Sequence, residues 1–90
     1  MYQLRLAIRS QHKLSVQYCD LNGKTTVRTL WPLALGYFEQ TMVLMTWCEL
    51  RQGFRHFRTD RIVSLTSRHE RYSGSRERLL LEWKKQQFDA

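Results

Sequence analysis

Between Leu14 and Leu65 turn signals cut the sequence into apolar stretches of strand length, and this spacing sets the fold class. Leu14, Val16 and Tyr18 alternate with Ser15, Gln17 and Cys19, the two-residue period of a half-buried strand. Asp20-Leu21-Asn22-Gly23-Lys24 follows, and Asn-Gly is a strong hairpin signal because both residues tolerate positive φ. Thr25–Trp31 is rich in β-branched residues and makes the returning strand, which Pro32 ends because it has no N–H for a ladder. Residues 33–40 read as a connection. Met42–Leu50 is an apolar run of strand length, covered on both faces. Gln52-Gly53 is a second turn and Phe54–Arg58 a second returning strand. Thr59-Asp60-Arg61 is a tight corner before a last short strand, Ile62–Leu65. About five short strands joined by turns are the pattern of a small barrel or sandwich.

The flanks follow other rules. Leu4, Ala7 and Ile8 are spaced for one face of a short amphipathic helix over residues 2–11. Ser67–Ser75 is polar and charged and reads as a linker, with Ser75 as N-cap and Glu77 in the first turn of a helix over 76–88. Leu79, Leu80 and Trp83 share one face of that helix. The expected class is mainly β (α+β): residues 1–66 form a barrel domain with a leading helix, 67–75 a linker and 76–90 a C-terminal helix. Ninety residues leave room for one domain, and 42% apolar residues are too many for a disordered tail. The longest apolar stretch, Met42–Met45, falls far short of the roughly 18 residues of a membrane span. The N-terminus carries charges inside its apolar stretch and lacks a signal peptide's core. A cytoplasmic protein without membrane contact is expected.

Charge narrows the partners. Lysine plus arginine number 15 against 8 acidic residues, a net +7, and arginine supplies 11 of the cations. The planar arginine fork suits phosphate and carboxylate, so nucleic acid, a nucleotide or an anionic metabolite is the expected partner. Four arginines fall within residues 51–61, interleaved with Phe54, His56 and Phe57. On a strand, Arg55 and Phe57 point to one face while Phe54, His56 and Arg58 point to the other, with Arg28 placed to lie across the sheet. Arginines over a sheet with aromatic neighbours bind phosphates and stack bases. Within the series, Arg51 reads as a solvated turn residue and Arg61 as a structural partner of Asp60, whereas Arg55 and Arg58 read as ligand contacts. Trp31 and Trp47 read as packing; Tyr37 and Phe38 in the connection read as packing first, with stacking on a ligand as the alternative, while Tyr18 alternates inward with a hydroxyl that needs a partner.

Little points to catalysis. Cys19 and Cys48 lack disulfide-framework or zinc spacing and read as reduced, buried thiols. His12, His56 and His69 are scattered; Asp20, Glu39, Glu49 and Asp60 form no acid–base pair, and Ser10 and Ser15 with His12 make no nucleophile constellation. The glycines are isolated, with no phosphate loop. No enzyme, cofactor or metal site is predicted.

From about Leu4 to Leu65 the chain resembles a WYL domain, the effector-binding module of bacterial transcriptional regulators, and within that family the YafY-like subgroup. The resemblance rests on Ala7-Ile8-Arg9, Leu14-Ser-Val-Gln-Tyr18, Asn22-Gly23, Arg28-Thr-Leu-Trp-Pro32, Trp47-Cys-Glu-Leu-Arg51 and Phe54-Arg-His-Phe-Arg-Thr-Asp-Arg-Ile62, in order and spacing. It implies an Sm-like, SH3-type β-barrel and a basic pocket for a nucleic-acid or nucleotide-like ligand, single-stranded DNA being the effector described for some members. The matched positions are Arg28, Arg55, Arg58, Arg61 and Tyr18, and His56 lies between two of them. The name-giving triplet falls at Met42-Val43-Leu44, where only the leucine survives. The winged helix-turn-helix that usually precedes such a domain has no counterpart in the short first helix, so its DNA reader is expected to be separate or missing. The leading expectation is a sensor domain binding single-stranded nucleic acid or a nucleotide-like anion. A non-specific Sm-like nucleic-acid module and a module that homodimerises through Leu79, Leu80 and Trp83 are the alternatives.

Overall fold

The structure, a computed structural model, describes residues 2–88. Its elements are α1 (Tyr2–Ser10), β1 (His12–Cys19), β2 (Thr25–Phe38), β3 (Thr41–Cys48), β4 (Gly53–Arg58), a 3-10 turn (Thr59–Arg61), β5 (Ile62–Arg71) and α2 (Arg76–Phe88). The five strands form one antiparallel sheet in the order β4-β3-β2-β1-β5. The mainly β class with two helices is as expected.

The expected barrel differs. β4 and β5 are the two edges of the sheet, which is not closed. It is nevertheless strongly curled, as chain geometry requires. The edges of a flat five-stranded sheet would stand about 19 Å apart, yet the three-residue turn joining β4 to β5 spans at most about 14 Å. The curl brings Phe57 of β4 edge-on to Tyr18 of β1, with 4.9 Å between ring centroids.

Inside the curl, Leu14, Val16, Leu30, Leu44, Cys48 and Phe57 form one cluster, and α1 covers it with Leu4 and Ala7. That is why Leu4, Ala7 and Ile8 needed helical spacing. Gln11, with φ 58, ends α1 and turns the chain into β1.

Three predicted boundaries shift. Pro32 does not end β2, which runs on to Phe38. Beyond Leu30, β2 pairs only with β3, and the register slips between Pro32 and Ala34. Proline is tolerated there because its missing N–H falls at a bulge on an unpaired flank. The expected connection over 33–40 is therefore strand, and its turn shrinks to Glu39 and Gln40, both at positive φ. β5 also outruns Leu65, continuing along β1 through a bulge to Arg71. The connection to α2 thus starts at Tyr72, not Ser67. Ser75 caps α2 as expected, its Oγ accepting from the Arg78 N–H at 3.4 Å.

Tyr72, unmarked in the sequence, is buried. It stacks on Trp31 at 5.2 Å and 4°, donates its hydroxyl to the Pro32 carbonyl at 3.3 Å, and gives its backbone N–H to Gln11. Burial pushes its phenol up to about 12. Trp31 and Trp47, directly paired across β2 and β3, pack at 4.4 Å, in keeping with their predicted structural role.

Candidate functional site

The end of the β1–β2 hairpin is built by one side chain. Asp20 Oδ1 accepts the backbone N–H groups of Asn22 and Lys24, both at 2.9 Å, while Gly23 takes φ 80. This holds Leu21 and Asn22 opposite the end of β4 and the 3-10 turn. Between them opens a cleft of about 410 Å³ lined by Tyr18, Asp20, Leu21, Asn22, Arg58 and Arg61.

The two arginines differ in state. Arg58 forks onto Asp60, with Nε to Oδ1 at 3.2 Å and Nη2 to Oδ2 at 2.7 Å. The pair raises the guanidinium of Arg58 and holds the Asp60 carboxyl below its ordinary range. Arg61, expected to be the partner of Asp60, is not: its Nε is buried with no hydrogen-bond partner. Arg28 shares this condition, its Nε buried and unpartnered while Nη1 reaches Cys48 Sγ at 3.9 Å. Arg28 pairs with Val16 across β1 and β2, two residues along from Thr26, the partner of Tyr18. It therefore faces the same side of the sheet as Tyr18.

The other expected site residues lie elsewhere. Arg55 is exposed, and its Nη1 turns back to the neighbouring Phe54 carbonyl at 2.6 Å. His56 serves α2: its Nε2 accepts the Trp83 indole N–H at 2.8 Å, and the rings meet at 5.6 Å. Desolvation lowers the His56 imidazole below its ordinary value. Of the six candidates, Tyr18, Arg58 and Arg61 converge in the cleft, while Arg28 stands nearby on the inner face. The hairpin wall formed by Asp20, Leu21 and Asn22 was not singled out from sequence as part of a site, although its position two residues beyond Tyr18 was the available signal.

A family model described as WYL domain matches residues 1–67. The chain belongs to the WYL domain family. Among solved structures, this WYL domain is similar to proteasome accessory factor B/C (PafBC) of Arthrobacter aurescens, at 32% identity and a TM-score of 0.77. The match covers 82% of this chain and 12% of that one, so the WYL domain described here spans about an eighth of that protein's length. No curated protein matches the chain. Of Met42-Val43-Leu44, Leu44 is fully buried in the core, whereas Met42 and Val43 are half-buried on β3. Among the described residues, no helix is long and apolar enough to cross a membrane.

Proposed function

We propose that this WYL domain is the ligand-sensing part of a bacterial transcriptional regulator working in the cytoplasm, and that the cleft beside Tyr18 takes single-stranded nucleic acid or a nucleotide-like anion. The observation that carries the reading is Arg61, which lines the open cleft beside Tyr18 and Arg58 and joins no ion pair among the described residues. A phosphate entering the cleft would give the Arg61 guanidinium a charge-assisted partner. The Tyr18 ring offers a face for a base, and the net charge of +7 draws anions from a distance.

Binding here is coupled to shape through Arg58. A phosphate competing for its fork would release Asp60, which sits in the short turn that holds the two sheet edges together. The ligand thus favours the arrangement with Asp60 freed, and a regulator can be switched by that preference. The curled sheet is, on this reading, an opened form of the Sm-like barrel. Its sensing unit is α1 with the sheet, with α2 as an appended element. The role is one of binding, with no bond made or broken.

Fluorescence anisotropy with labelled single-stranded and duplex oligonucleotides tests this. Arg61→Ala and Arg58→Ala are each expected to weaken single-strand binding about tenfold, the scale of one charge-assisted contact. Arg55→Ala, outside the cleft, should leave it nearly unchanged. Equal, weak and salt-labile binding of duplex and single strand, insensitive to the cleft arginines, would sink the proposal.

A further inference from the structure

We propose that a second cleft, between α1, the β2–β3 hairpin and the start of α2, binds a mononucleotide-like anion, its phosphate on Arg5 and Arg76 and its ring on Tyr37. The cleft has a volume of about 370 Å³ and shares no lining residue with the one beside Tyr18. That size falls within the roughly 300–1,000 Å³ of small-molecule sites.

Its charge is simpler than that of the first cleft. No carboxylate lines it, and among the described residues neither Arg5 nor Arg76 joins an ion pair. By contrast, the cleft beside Tyr18 includes Asp20, and its Arg58 is already held by Asp60. Arg76 is aimed rather than loose. Its backbone N–H is fixed by Gln11 Oε1 at 2.7 Å, and Nη1 donates to the Leu33 carbonyl at 3.1 Å, which leaves further guanidinium donors for an anion. Two arginines from separate helices therefore face one cleft with nothing acidic among its described lining residues.

The rest of the lining asks for a ring. Tyr37 is 71% exposed although it sits inside a strand ladder, paired with Met42. An aromatic left uncovered at a cleft rim is a stacking surface, and Ile8, Leu35 and Met42 supply an apolar floor. A bare inorganic anion would use the arginines and waste the floor and ring, whereas an apolar molecule would strand two cations. A phosphate carrying a flat base satisfies both. Its source is a free nucleotide or one residue of a strand, which share this chemistry.

Calorimetric titration of the full chain with adenosine monophosphate is the test, repeated in the Arg58→Ala/Arg61→Ala variant to silence the first cleft. Saturable binding that survives the double substitution is expected. Arg5→Ala or Tyr37→Ala should weaken it about tenfold, and adenosine or inorganic phosphate alone should bind less well. An oligothymidylate that displaces the nucleotide would assign the source as a strand; one that does not would assign it as the free nucleotide, and either supports the site. Affinity untouched by Arg5→Ala and Tyr37→Ala, with amide spectra showing the fold retained, would overturn the proposal. So would the absence of saturable nucleotide binding in the Arg58→Ala/Arg61→Ala chain. Both tested side chains are exposed, so their removal leaves the core intact.

Discussion

Arg61 and Glu49 show how far a single polar contact can be read as function or as structure. Glu49 accepts the Trp31 indole N–H at 2.7 Å and pairs with Lys13 at 3.0 Å, and Lys13 Nζ lies 5.7 Å from the Trp31 ring centroid. Chiefly through the Trp31 hydrogen bond, the Glu49 carboxyl sits below its ordinary value of 4.5. Its folded value is depressed, so the stability it adds is present above the unfolded value and is lost as pH falls through the folded one. Trp31→Phe should move the Glu49 titration, followed by carboxyl-carbon resonances, back toward 4.5; no movement would mean that the cations Lys13 and Arg68 set it. Arg61 is the reverse case. Its buried Nε has no partner to lose, and removing it ends an unsatisfied buried donor, so Arg61→Ala should not lower thermal stability while binding falls. A structural arginine would give a large loss of stability instead.

Turns and caps decide which elements can be read from sequence. Asn22-Gly23 announces its hairpin because Gly23 takes φ 80 freely. The β2–β3 turn uses Glu39 at φ 51 and Gln40 at φ 66, residues that carry no turn signal and bear a steric cost in that region. Hence residues 33–40 looked like a connection. Replacing the pair as Glu39→Asn/Gln40→Gly should stabilise the chain by about 1 kcal/mol. For a domain of this size, that raises the melting temperature by roughly 4–8 °C. The polar end of β5 was unreadable for another reason: Ser67–Arg71 borrows its strand from pairing with β1 and buries little. The arginine series was legible, yet sequence alone could not divide it between the cleft (Arg58, Arg61) and the surface (Arg55), because sheet curl makes that division. α2 is held at Trp83 by a neutral His56 acceptor. Unfolded histidine takes its proton at higher pH than His56 does in the fold, so docking is full above about 6.5 and weakens as pH falls below it. The Trp83 indole N–H resonance should shift toward its free position over that range. In His56→Phe, which has no acceptor, the pH dependence should vanish.

At the scale of the whole molecule, curl and charge act together. The curl lets a 90-residue chain enclose a core of fully buried Leu14, Val16, Leu30 and Leu44 while placing Tyr18, at the end of β1, beside the arginines that follow β4. The same geometry separates two modes of binding that the +7 charge alone would blur. A strand seated in the cleft, with Arg58 and Arg61 on phosphates, neutralises about two charges, so log affinity should fall with log salt at a slope of about −1.4. A strand smeared over the cationic surface would engage most of the net charge and give a slope nearer −5. Removing a cleft arginine should then flatten the shallow slope by about 0.7, whereas Arg55→Ala should leave it alone. Anisotropy titrations across salt concentrations measure both quantities. A steep slope reduced equally by Arg55→Ala and Arg61→Ala would assign the binding to the general field of the protein instead of to the cleft.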